Sequence, residues 1–150
     1  MPVKVARLAQ TFGAGVEYDD GRVFAEFMRC ALEGRDIVLH SEGRTVRNYC
    51  YTADAVSAIL RILLQGENGE AYNVANEETA VSIREMADLV RDALAARPIG
   101  VRVEIPEDVA SYGYNPEMIA KLDCSKLKAL GWKPRTPLPE MFQRMAAMFG

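Results

Sequence analysis

The chain has 150 residues, enough for one domain with a sizeable buried core. Its residues are 49% apolar and 26% charged, as in a folded globular protein, and a net charge of -3 argues against a general polyanion-binding surface and hence against nucleic acid as a partner. The three cysteines (Cys30, Cys50, Cys124) lack C-x-x-C spacing and read as reduced thiols of a cytoplasmic protein. The single histidine excludes a metal cluster built on histidines. No apolar run approaches the roughly 20 residues that cross a bilayer, so no membrane partner is expected. The opening M-P-V-K-V-A-R-L lacks the apolar core of a signal peptide and reads as an interior strand.

In chain order, Val3 to Leu8 is apolar and partly β-branched, interrupted by Lys4 and Arg7, and predicts a strand. Gly13 to Gly21 is polar and glycine-rich, a loop. Arg22 to Glu33 places Val23, Phe24, Phe27, Met28, Ala31 and Leu32 at helical spacing, with Gly34 as the stop. Ile37 to His40 and Val46 to Tyr51 predict short strands. Thr52 is the expected cap of a helix reaching about Leu64, with Asp54 in its first turn and most of its apolar residues buried. Ala71 to Ala75 predicts a strand bounded by Gly69 and Asn76.

Ser82-Ile-Arg-Glu85 is a capping box, and the helix behind it carries Ile83, Met86, Ala87, Val90 and Leu94 on one face. Pro98 closes it, and Val101 to Ile105 predicts another strand. Pro106 to Pro116 is rich in Gly, Pro, Asn and Asp and reads as a loop able to move without ligand. A short helix is expected from Asp123 to Gly131, and a last one opened by Thr136-Pro137. Strands alternating with helices predict an α/β fold, with too few strands for a complete doubly wound sheet.

Several segments follow one another in a telling order: R-L-A-Q-T-F-G-A-G from Arg7, D-D-G-R-V-F-A-E-F from Asp19, I-V-L-H-S-E-G from Ile37, T-V-R-N-Y-C-Y-T-A-D from Thr45, E-A-Y-N-V-A-N from Glu70 and D-C-S-K-L-K-A-L-G-W-K-P from Asp123. Together they resemble the second half of the NAD-dependent sugar-nucleotide epimerases and dehydratases, extended short-chain dehydrogenase/reductases. The resemblance runs from about Val3 to Phe142. It implies an incomplete Rossmann fold: residues 1-150 form one substrate-binding portion that includes the last cofactor-sheet strands, about 3-8 and 71-75. The implied ligand is a UDP- or dTDP-sugar. On this resemblance Arg47 is the leading pyrophosphate clamp and Arg22 sits where a second polar contact is made. Gln10 stands where the family usually has asparagine, and Val38 and His40 match the segment beside the base.

The chemistry suits those residue types, because guanidinium offers a charged planar fork that matches phosphate oxygens in pairs. Each residue also has a plainer reading. An arginine beside a glycine turn is usually solvated, and a strand histidine is usually packed or half-exposed. Asp54 reads as a helix-start carboxylate, Tyr49 and Tyr51 as core, and Leu130 and Trp132 as packing residues.

Two departures from the family pattern stand out. Where the family places a second phosphate-binding arginine, this chain has Y-G-Y-N-P-E-M-I-A-K-L-D, so Arg44 or Lys121 becomes the substitute, or the ligand differs. The Gly-rich dinucleotide loop and the catalytic Tyr-x-x-x-Lys are not found: no tyrosine (18, 49, 51, 72, 112, 114) has lysine four residues later. The resemblance therefore implies NAD for the full-length family enzyme but no cofactor, no catalytic residue and no turnover for this chain alone. The expected partners are a nucleotide-diphosphate sugar and, across an open sheet edge, either another copy of the chain or an NAD-binding half. A truncated product, half of a split enzyme and a non-catalytic binding or regulatory module all remain open.

Overall fold

A computed structural model describes residues 1–105 and 117–149. The expected loop from Pro106 to Pro116 lies outside the described residues. The rest is an α/β arrangement of β1 (Val5–Leu8), β2 (Gln10–Phe12), α1 (Val23–Glu33), β3 (Ile37–Leu39), β4 (Val46–Tyr51), α2 (Thr52–Gln65), β5 (Ala71–Val74), β6 (Asn76–Ser82), α3 (Ile83–Leu94), β7 (Val101–Val103), β8 (Ile119–Ala120), α4 (Ser125–Ala129) and α5 (Leu138–Ala146).

The described strands form three small sheets. β1 pairs in parallel with β5, Val5 opposite Ala71 and Leu8 opposite Val74. β4 is the hub of a second sheet: parallel to β2 at its C-terminal end, parallel to β8 at its N-terminal end, and antiparallel to β6. β3 and β7 make the third pair, Ile37 opposite Val101.

β4 also separates two hydrophobic cores, because successive strand side chains point to opposite faces. Tyr49 and Tyr51 enter the larger core with Phe12, Phe24, Phe27, Met86, Met141 and Phe142. Cys50, between them, enters the smaller core with Ala58, Ile62, Tyr72, Val74, Leu127 and Trp132. Phe12 stacks on Phe24 at 4.4 Å and meets Phe142 at 4.9 Å. Each such buried ring contributes about 1.5–3 kcal/mol.

The local signals operate much as their chemistry dictates. Gly34 ends α1 with φ 65°, and its turn returns N–H groups to the carbonyls of Ala31 and Cys30. The Ser82 hydroxyl accepts from the Glu85 N–H while the Glu85 carboxylate accepts from the Ser82 N–H, completing the capping box.

Several expectations are corrected. Thr52 is the first residue of α2 rather than its cap, since β4 runs straight into the helix and Tyr51 takes the cap position. Pro137 caps α5, one position earlier than expected, with Pro139 inside the first turn. Asp123 stands before α4, its carboxylate accepting from the Ser125 N–H at 2.7 Å. β6 was not expected, because Asn76 reads as a terminator and Glu77-Glu78-Thr79 is polar. Thr79 makes it possible: its buried hydroxyl accepts from the Tyr49 N–H at 2.7 Å and lies 3.0 Å from the Tyr49 carbonyl, bridging the irregularity in the β4–β6 ladder.

The largest difference concerns α2. Only Asp54, Ala55, Ala58 and Ile62 are buried, whereas Val56, Ile59, Leu60, Leu63 and Leu64 are exposed, Leu64 by 79%. The sheet beneath has just two strands, too narrow to cover both flanks of the helix. Val3, Val5 and Leu8 are exposed as well. The Val5 and Ala9 N–H groups donate toward β5, so Ala6 and Leu8 turn their backbone groups to the opposite edge, unpaired among the described residues.

Candidate functional site

A cleft of about 470 Å³ opens among β2, α1, β3, β4 and the start of α3. Alternation places its residues. In β3, Ile37 and Leu39 have buried side chains while Val38 is only partly buried and lines the cleft. In β4, Arg47 shares parity with Tyr49 and so faces the larger core's side, where the cleft lies. Asn48 faces the other way, exchanging hydrogen bonds with the backbone of Leu122 at 3.2 and 3.3 Å, which ties β4 beside Arg47 to the segment that follows β8. The Arg47 guanidinium makes a 3.4 Å contact with the Met118 sulfur and no ion pair among the described residues.

Gln10 lines the same cleft from β2, in register with Tyr49. Its Oε1 is buried without a hydrogen-bond partner among the described residues, and so is the Tyr49 hydroxyl. An orphaned buried acceptor costs about 1–3 kcal/mol, a debt that a donor group in the cleft would remove. Burial also pushes the Tyr49 phenol up to about 12, so it stays protonated at neutral pH. His40 lies at the rim, its Nδ1 3.3 Å from the Glu104 carbonyl.

Of the residues singled out from sequence, Gln10, Val38, His40 and Arg47 thus meet in one cleft. Arg22 stands apart, lining a neighbouring depression with Thr11, Gly15 and Thr52. Its guanidinium is held by both carboxylate oxygens of Asp20, at 3.0 and 2.6 Å, and lies 4.7 Å over the Phe24 ring. That partner pulls Asp20 down to about 2. Arg44 and Lys121 are exposed and outside the cleft, with Lys121 near enough to Glu85 to help lower its carboxyl.

The reading from sequence missed Glu26, Phe27, Ser41, Thr45 and Glu117 as lining residues. Val23, Glu26 and Phe27 do carry a signal, the i, i+3, i+4 spacing of one helix face. Glu117 does not, since only the return of β8 to β4 brings it close. With Glu26 and Glu117 in the lining beside Arg47, an anionic group belongs at the Arg47 end and hydroxyl groups suit the carboxylates. Among the described residues there is no group of three metal-ligating side chains, and no helix is long and apolar enough to cross a membrane.

The family model for the NAD-dependent epimerases and dehydratases matches residues 1–75. A UDP-glucuronic acid decarboxylase of Arabidopsis thaliana is 30% identical over 139 residues, covering 92% of this chain and 38% of that protein. A dTDP-D-glucose 4,6-dehydratase of Mus musculus is 29% identical over 142 residues, with 93% and 38% covered. Among solved structures, the UDP-glucose 4-epimerase of Thermotoga maritima with UDP-glucose superposes with a TM-score of 0.81 at 23% identity, over 99% of this chain and 46% of that one. The dTDP-glucose 4,6-dehydratase of Bacillus anthracis in complex with NAD gives 0.79 at 19% identity, over 97% and 44%. The architecture is therefore part of a Rossmann-type epimerase/dehydratase fold, and the chain spans about 38% of the length of the curated relatives it matches. By its sequence and its fold, this chain belongs to the NAD-dependent epimerase/dehydratase family.

Proposed function

We propose that residues 1-150 form the sugar-nucleotide-binding portion of an NAD-dependent epimerase, dehydratase or decarboxylase. The observation that carries this reading is the convergence of Gln10, Val38, His40 and Arg47 on one cleft. Arg47 clamps the diphosphate of a UDP- or dTDP-sugar, the Gln10 amide meets a polar group of the ligand, and Val38 and His40 flank the base. Arg22 reaches the diphosphate only by leaving Asp20, and Arg44 and Lys121 supply longer-range positive charge from outside the cleft.

NAD chemistry belongs to the family's Gly-rich loop and Tyr-x-x-x-Lys, motifs that this sequence does not contain. The chain alone accordingly binds the sugar nucleotide without turnover and without NAD, in the cytoplasm. Solved relatives in complex with UDP-glucose and with UDP-glucuronic acid and NAD lend support to the ligand class. A second reading, completion by another polypeptide or by a second copy, is favoured by the exposed apolar face of α2 and the open edge of β1.

Calorimetry with UDP, dTDP, UDP-glucuronate and NAD on the 150-residue chain tests the proposal. Saturable binding of a uridine or thymidine diphosphate, weakened in Arg47→Gln, is expected. Micromolar binding of NAD alone would overturn it.

A further inference from the structure

A second concavity, of about 710 Å³, lies between α2 and the G-W-K-P-R segment that joins α4 to α5. It shares no residue with the Arg47 cleft. One side is the α2 face made by Asp54, Ser57 and Arg61, spaced as i, i+3 and i+7; the other carries Trp132, Lys133 and Arg135.

The polar groups at its base are already matched to one another. Trp132 Nε1 donates to the Ser57 hydroxyl at 2.9 Å, and that hydroxyl donates to the Asp54 carbonyl at 2.7 Å. Asp54, the only carboxylate among the described lining residues, is 6% exposed and accepts the N–H groups of Arg135 and Thr136. It is directed to the backbone and forms no ion pair among the described residues.

The cations are in the opposite condition. Arg61 makes one neutral contact, 3.1 Å to Gln65 Oε1, and its guanidinium lies beside the left-handed turn at Gly131, where an added Cβ would sit 4.0 Å from Nη1. The side chains of Lys133 and Arg135 have no hydrogen bond or ion pair among the described residues. Three positive charges thus border one hollow in a chain whose net charge is -3. Their mutual repulsion is relieved by an anion placed between them, and the two guanidinium forks suit the oxygens of a phosphate.

We infer that this hollow is a second binding site, for a small multivalent phosphate anion such as pyrophosphate. A concave shape with three cations at its rim favours a compact anion over an extended acidic polypeptide, which would need charge spread along a surface.

Trp132 is the only tryptophan of the chain and lines the hollow, so its fluorescence reports this site and not the Arg47 cleft. Titration with pyrophosphate at constant ionic strength should give a saturable change. Arg61→Gln and Lys133→Gln should each weaken it roughly tenfold, the loss of one charge-assisted contact. Lys133→Gln leaves α2 untouched and so guards against a folding artefact, while Arg47→Gln should leave the Trp132 signal unchanged. A saturable response that survives both charge variants, no response at all, or tighter binding of a poly-glutamate peptide than of pyrophosphate would each overturn the inference.

Discussion

Asp54 and Thr136 are joined by a hydrogen bond of 3.0 Å across 82 residues of sequence, the Asp54 carboxylate accepting from the Thr136 N–H. The same oxygen accepts from the Arg135 N–H at 3.1 Å. A carboxylate expected to serve its own helix end instead anchors the entry to α5, whose Met141, Phe142 and Met145 complete the larger core. Asp54→Ala removes the one acceptor that serves both N–H groups and leaves them unmatched, so a loss of about 2–4 kcal/mol is expected in urea unfolding. Asp54→Asn, which keeps one amide oxygen, should lose less. Equal stability of wild type and Asp54→Ala would show that the anchor contributes nothing.

Arg47→Gln should weaken UDP or dTDP binding by about tenfold to a hundredfold, the range for one charge-assisted contact to phosphate. Stability should hardly change, because the Arg47 guanidinium forms no ion pair among the described residues and its hydrogen-bond contact there is with the Met118 sulfur. Calorimetry and thermal unfolding on the same preparation separate the two effects.

Tyr49→Phe should be neutral or stabilising by up to about 1 kcal/mol, against the usual direction of core substitutions. The ring keeps its edge contact with Phe12 at 5.9 Å, and only an unmatched buried hydroxyl is removed. A clear drop in the urea midpoint would mean that this hydroxyl has a partner, such as an ordered water shared with Gln10.

The Asp20–Arg22 pair predicts an acid limb in the stability profile. Asp20 falls from the ordinary 3.8 to about 2 because the Arg22 side chain and backbone N–H both donate to its carboxylate. A carboxyl lower in the folded state stabilises fully above the unfolded value and ceases to do so as pH falls through the folded value. The contribution should therefore be present above about pH 4 and disappear towards pH 2, with solvent screening keeping it small. Asp20→Asn should flatten that limb in chemical unfolding at successive pH values. It also frees Arg22, so tighter pyrophosphate or UDP binding by Asp20→Asn would support its reach toward the diphosphate.

If α2 is a docking face, Leu60→Glu combined with Leu63→Glu should lower self-association without unfolding the chain, since both side chains are exposed. Sedimentation across a range of concentrations measures this. A wild-type chain that is monomeric at all concentrations would remove self-association and leave only a different partner for this face.

Much of the architecture was legible because its signals are local. The capping box at Ser82, the stop at Gly34 and the alternation in β4 depend on residues within a few positions of one another. The motif series from Arg7 to Pro134 carried the family in the same way, as ordered short segments. Sequence therefore determined the helices and most of the longer strands, the family and Arg47 as the residue to examine, but not β2, β6 or β8.

Tertiary structure decided the rest, and the reason is that partners far apart in sequence set burial and pairing. Thr79 becomes a strand residue only because Tyr49 offers its N–H across the sheet. The apolar residues of α2 divide into buried and exposed sets because two strands cannot cover a whole helix. Arg22, equal to Arg47 as a cation in sequence, is taken by Asp20, whereas β4 delivers Arg47 into the cleft without a carboxylate partner among the described residues. Which arginine a chain possesses is written locally; which one stands ready for an anion depends on the groups that folding places beside it.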